Sequence, residues 1–221
     1  MAFDLESLVT SVKGTECAQC ASRTLFSFVR DSEYAGCMRA LPHSWFAGSA
    51  VALAPRLLGK TIRRGSCSGI IVETEAYAVD PASHALRITP RSAIMRDTYG
   101  HWYVYFTYGM HWCANVTTDA KGVGAVLIRA VEPVEGISLM KRRRRTTLVR
   151  NLCSGPAKFC EAFGITGKDN RVPLGTDFAI YDAPEIAPKD IGVSGRIGIR
   201  NGTELPWRFY IKENPFVSRK R

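Results

Sequence analysis

Apolar and polar positions alternate most regularly at Gly69–Tyr77. There Ile71, Glu73, Glu75 and Tyr77 fall on one face of an expected strand, and Val72, Thr74 and Ala76 on the other. Tyr103–Phe106 alternates again, Tyr108-Gly109 interrupts, and Met110–Val116 resumes, which is the pattern of a hairpin. Val123–Val131 is nearly all apolar and reads as a buried strand, and Phe178–Tyr181, Arg196–Ile199 and Arg208–Ile211 as short ones. Helical signals are fewer. Pro55–Gly59 reads as a short turn of helix closed by glycine, Pro133–Arg145 as a helix, and Ser154-Gly155-Pro156 as the start of another that runs through Phe163 to Gly164. Ser22–Arg30 is long enough for one more. The class expected is α+β: a single domain, mainly antiparallel sheet with flanking helices. Residues 1–43 lack clear alternation and read as an N-terminal extension, with the domain proper over 44–221.

With 46% apolar and 23% charged residues in 221, the chain has globular composition, not that of a disordered or fibrous protein. No stretch approaches eighteen unbroken apolar residues, so no transmembrane helix is expected, and acids stand in the first six residues where a secretory signal carries bases. Seven scattered cysteines without such a signal suggest reduced thiols and an intracellular protein. The net charge is +10, and its distribution is uneven. Residues 1–50 hold four bases and five acids, and the remainder 26 and 15, so the body of the chain favours a polyanionic partner, foremost nucleic acid.

Two segments could carry chemistry. Glu73 and Glu75 share a strand face with Tyr77, and burying an unpaired carboxylate is costly. The pair therefore reads either as a solvated face or as a general base held by a neighbour. In Tyr99–Trp112, nine of fourteen residues are Tyr, Trp, Phe or His, a density suited to stacking on unstacked bases. Tyr108, just before the glycine of the hairpin, would project from its tip as a wedge into a base stack, against the alternative of an aromatic core or edge. Cys17, Cys20, Cys37 and His43 have the spacing of a three-cysteine, one-histidine zinc site, a weak pattern without further knuckle residues.

In order along the chain, Ile71–Tyr77, His84, Tyr103–Met110, Asn115, Leu127–Pro133, Leu152–Lys158, Trp207–Tyr210 and Pro215–Ser218 resemble the alkyladenine (3-methylpurine) DNA glycosylase family, from about Trp45 to Ser218. The resemblance implies a curved sheet with a protruding hairpin wedge. It also implies a monofunctional enzyme, acting as a monomer on damaged purines in double-stranded DNA and needing no metal or cofactor. Glu75 then resembles the base that deprotonates the attacking water, and Arg129 the arginine that helps hold it. Tyr77, His84 and Tyr105 resemble the pocket for the extruded base, and Asn115 the residue that crowds the amino group of guanine. Tyr108 and Met110 resemble the intercalating pair. Glu73 reads as a structural ion-pair partner. Lys158, in the first turn of its expected helix, and Arg142, within the basic run 141–145 of a solvated helix face, are candidate phosphate contacts. Two alternatives stay open: a non-catalytic module for damaged DNA, and a glycosylase–lyase using a lysine such as Lys158. The loop between Tyr77 and His84 is shorter than in the best-known family members, and the residues before Trp45 have no counterpart there.

Overall fold

A long strand organises the molecule. The computed structural model describes residues 39–175 and 177–218; the segment Ser22–Arg30 and the cysteines Cys17, Cys20 and Cys37 lie outside them. Among the described residues the strands are β1 (Thr61–Arg64), β2 (Cys67–Tyr77), β3 (Trp102–Thr107), β4 (His111–Thr118), β5 (Gly124–Glu135), β6 (Phe178–Tyr181), β7 (Ile191–Ser194) and β8 (Arg208–Ile211). They pair antiparallel in the order β3-β4-β5-β2-β1-β6. Strand β2 is shared on one edge, its first half with β1 and Glu73–Glu75 with β8, which in turn carries β7. Divided in this way, the sheet curls into a half-barrel. Helices α1 (Ala50–Arg56), α2 (Ile94–Asp97), α3 (Ile137–Arg144) and α4 (Pro156–Phe163) flank it, giving the expected single α+β domain.

The two faces of the sheet differ. On one, Ala76, Trp102, Val104, Ala114, Val116, Val126 and Ile128 join α1 and α4 in the main core. Trp102 stacks on Phe178 at 3.6 Å between ring centroids. On the other face, Ala125 and Tyr103 pack with Ala85, Ile94 and Met95 in a smaller cluster, edged by Tyr105. This second face, which carries Glu75, Tyr77 and Asn115, bears the chemistry.

Several elements depart from the periodicity. Helix α1 begins at Ala50, where Ser49 Oγ accepts from the Ala52 N–H, and Pro55 stands inside its last turn, where the expected helix started. Strand β5 runs on through Pro133 to Glu135 because β2 continues to pair with it as far as Ser68. Gly136, at φ 72°, then turns the chain into α3, four residues later than expected. Arg196–Ile199 is not a strand: the Arg196 side chain is drawn inward and the Ile197 N–H is given to a carboxylate, so that backbone cannot build a ladder. Strand β7 lies just before it. The basic run is only partly a solvated face. Arg143 donates to Ala162 O, and Arg144 pairs with Glu161, tying α3 to α4, whereas Arg142 is exposed.

The β3–β4 hairpin closes through Tyr108-Gly109, both at positive φ (52° and 65°), with Met110 N–H donating to Thr107 O. Two consecutive left-handed residues are what a type I′ turn requires. Holding a tyrosine there costs on the order of 1–3 kcal/mol. Tyr108 is 77% exposed and Met110 66%.

Candidate active site

The alternation along β2 breaks at Glu73. Ile71 pairs with Val131, Glu73 with Ala130 and Thr74 with Ile128, so Val72 is an extra residue on β2 and Arg129 an extra residue on β5. Paired bulges of this kind re-aim side chains. Here they send Ile71 into the main core, against the expected alternation, and leave Arg129 free of a cross-strand partner beside the two carboxylates.

Glu73 and Glu75 are both fully buried, which removes the solvated-face alternative. The structure gives them different surroundings. Glu73 sits in a cage of donors: Arg208 Nε at 2.6 Å, Arg129 Nε at 2.9 Å, the Ser218 N–H at 2.7 Å and Ser218 Oγ at 2.9 Å. Its lone pairs are spent, as expected for a structural ion-pair partner. Glu75 is more loosely held. Its Oε1 accepts from the Ile197 N–H at 2.8 Å and faces Arg129 Nη1 at 3.3 Å, and its Oε2 accepts from the Tyr77 hydroxyl at 2.8 Å. Burial pushes the Glu75 carboxyl above its ordinary value, more than Arg129 and the two hydrogen bonds lower it. Arg129 divides its charge and lies closer to Glu73, whose own negative charge adds to the rise. Glu75 is thus a buried carboxyl with raised proton affinity, the state suited to a general base.

Beside it is a cleft lined by Tyr77, His84, Tyr103, Tyr105, Asn115 and Met95, among others, with a volume of about 30 Å³. The rings of His84 and Tyr105 meet edge-on at 4.9 Å. His84 Nδ1 lies 2.8 Å from the Tyr103 hydroxyl. Burial, and then the charge of Arg91, hold the imidazole below its usual range, so it is neutral near pH 7. The Tyr103 hydroxyl, pushed up to about 12 chiefly by burial, also takes a hydrogen bond from Arg91, so its own O–H is assigned as the donor to Nδ1. That assignment leaves Nε2–H as the free donor of His84. Asn115 Nδ2 donates to Tyr103 O at 3.0 Å, which fixes its amide orientation.

The structure therefore brings six of the sequence-derived residues together: Glu75, Arg129, Tyr77, His84, Tyr105 and Asn115. Tyr108 and Met110 stand apart at the hairpin tip. Lys158 Nζ lies 3.3 Å from Ser154 Oγ at the start of α4, and Arg142 is on α3; neither lines the cleft. Other participants escaped the sequence reading. Arg196, 5% exposed, clamps Asp80 with two hydrogen bonds (2.6 and 3.1 Å) and lies over the Tyr77 ring at 4.8 Å, fixing the loop that leads to His84. Neither this long-range pair nor the Ile197 N–H leaves a local signal. Tyr103, given no role of its own from the sequence, orients His84.

A buried carboxyl thus stands between a guanidinium, a backbone donor and a ring-lined cleft. Residues 44–215 match the model of the methylpurine-DNA glycosylase (MPG) family. A protein of Agrobacterium fabrum named "Putative 3-methyladenine DNA glycosylase" is 46% identical over 182 residues, covering 81% of this chain and 93% of its own. Proteins of the same name from Burkholderia lata (46% over 187 residues, 80% and 90% covered) and Chlorobium luteolum (45% over 194 residues, 83% and 99%) are similar to it to the same degree. The chain belongs to the methylpurine-DNA glycosylase family; it is a DNA glycosylase, a hydrolase of N-glycosyl bonds.

Proposed function

We propose that this glycosylase rotates alkylated or deaminated purines of the 3-methyladenine type out of duplex DNA. It then hydrolyses the N-glycosidic bond with an activated water, leaving an abasic site for base excision repair. The observation that carries the reading is the position of Glu75: hydrogen-bonded to Tyr77, a wall of the ring-lined cleft, and flanked by Arg129. Water held between Glu75 and Arg129 gives its proton to the carboxylate as its oxygen bonds to the sugar carbon. The electrons of the breaking bond leave with the purine. The negative charge of Glu75 stabilises the oxocarbenium-like sugar, as carboxylates do in glycoside hydrolysis. Alkylation at N3 or N7 makes the purine cationic, which improves it as a leaving group and strengthens its stacking on Tyr77 and Tyr105.

A cleft of about 30 Å³ accommodates one or two waters, not a purine. Rotation of Tyr105 and His84 away from each other admits the base, and the His84 Nε2–H then meets it; Asn115 crowds the amino group of guanine. Tyr108, whose hydroxyl donates to Gly198 O at 3.5 Å, fills the gap left in the stack with Met110 beside it, and this offsets the few kcal/mol lost on extrusion. Lys158 and Arg142 add phosphate contacts, and the protein works as a monomer inside the cell.

Incubation with methylated duplex DNA tests this. Base release is expected, with strand breaks appearing only after heat and alkali and no adduct trapped by borohydride. A pure damage-binding module gives no breaks at all, and a lyase gives a trapped Schiff base. Replacing Tyr108 by Ala is expected to weaken lesion binding and to flatten the rise of 2-aminopurine fluorescence beside the lesion; an unchanged rise removes the wedge.

A further inference from the structure

A second cleft is larger than the ring-lined one. It lies along the outer edge of β3 and holds about 350 Å³. That volume falls within the range of small-molecule and nucleotide sites. Arg91 and Arg171 line it with Tyr105, Phe106, Trp112 and Gly167, and no carboxylate does among the described residues. Asp169, next in the chain to the lining residue Asn170, is taken up by Arg64 at 2.9 Å and by the Thr166 N–H at 2.8 Å.

The two cations differ. Arg91 is pinned flat on the Tyr105 ring at 4.8 Å, with Nη2 donating to Phe106 O. Arg171 is exposed, and its guanidinium has no partner among the described residues. A flat apolar wall completes the cleft. The Trp112 and Phe106 rings lie 4.7 Å apart, and Trp112 rests so close on Gly167 that a Cβ there would come within 2.8 Å of it. Strand β3 turns the N–H groups of Trp102 and Val104 outward, to Val172 O and Asn170 Oδ1; by the same alternation the Phe106 N–H faces the cleft. Donors, positive charge and a stacking wall with no competing acid fit a phosphodiester whose nucleoside rests on rings.

We propose that this cleft seats one backbone phosphate of the bound DNA, between Arg91 and Arg171, with its sugar and base against Phe106 and Trp112. Tyr105 walls both this cleft and the base pocket, so the phosphate belongs to a nucleotide close to the extruded one. The proposal rests on the glycosylase reading for the presence of DNA.

The full chain and its Arg171→Gln variant are titrated with a lesion duplex in which single phosphates near the lesion are replaced, one at a time, by neutral methylphosphonates. In the wild type, one position is expected to cost about tenfold in affinity; in Arg171→Gln that cost disappears, and the salt slope of log K falls by about one. Arg63→Gln, an equal loss of charge on β1 toward the far end of the sheet, should keep the position-specific cost. Identical profiles for wild type and Arg171→Gln overturn the cleft. Base release from the unmodified lesion duplex is measured alongside. Its absence in the wild type, with the methylphosphonate coupling intact, removes the glycosylase reading and leaves the phosphate site standing.

Discussion

Glu75→Gln is expected to lower single-turnover base release by at least the ~10²–10⁴-fold typical of a lost general base, while binding to lesion DNA stays within a fewfold of wild type. Glutamine preserves the shape: its Oε1 still accepts from the Ile197 N–H, and its Nε2 can donate to the Tyr77 hydroxyl oxygen, so the fold has no reason to fail. What it cannot do is take a proton from water or hold negative charge beside the sugar. The same carboxyl sets a pH dependence. Because its proton affinity is raised above the ordinary 4.5, the ionised, active form accumulates only as pH climbs through that higher value. The acid limb of the excision rate should therefore have its midpoint above 4.5. Stability has the opposite sign. A carboxyl whose folded-state affinity exceeds its unfolded one favours the native state most below the unfolded value, and that contribution is lost as pH rises through the folded one. Activity thus rises in the window where this contribution falls. Near wild-type release by Glu75→Gln, or an acid limb below 4.5, overturns the role given to Glu75.

Much of this site was legible along the chain because it is written in side chains on regular strands. Glu73, Glu75 and Tyr77 share a face by simple alternation, and Tyr103 and Tyr105 do so along β3. The family pattern then brought Arg129, His84 and Asn115 to them. Legibility ended where geometry departs from alternation or where the backbone acts. Arg129 reaches the carboxylates only because paired bulges shift its register, and no residue type at 72 or 129 announces a bulge. Ile197 matters through its N–H, to which its side chain gives no clue. Arg196 lay within an expected strand because Arg196–Ile199 has strand-like composition, yet its pairing with Asp80, 116 residues away in the chain, outcompetes a ladder. The boundary of α3 was misread for a similar reason. Pro133 resembles a helix start locally, but cross-strand pairing with β2 carries β5 past it.

The division of labour between the two carboxylates yields the second large effect. Glu73→Ala removes the one acceptor shared by Arg129 Nε, Arg208 Nε and both donors of Ser218, leaving two buried guanidinium groups short of a counter-charge. Breaking a buried pair in this way costs about 3–5 kcal/mol, which for a chain of this length is a fall in melting temperature on the order of 10 °C. It also takes from Ser218 two of its hydrogen bonds to the sheet. A purely structural role would end there. The geometry asks for more, because Glu73 competes with Glu75 for Arg129 and repels its charge. Once Glu73 is gone, the full guanidinium charge turns to Glu75 and a negative neighbour disappears, and both changes favour the ionised form. The acid limb of the pH–rate profile should therefore move to lower pH in Glu73→Ala, and in the milder Glu73→Gln, which tests the same point where the alanine variant is too unstable to assay. A loss of stability with the limb unmoved would reduce Glu73 to scaffolding. A limb displaced downward makes it the residue that keeps the proton affinity of its neighbour high.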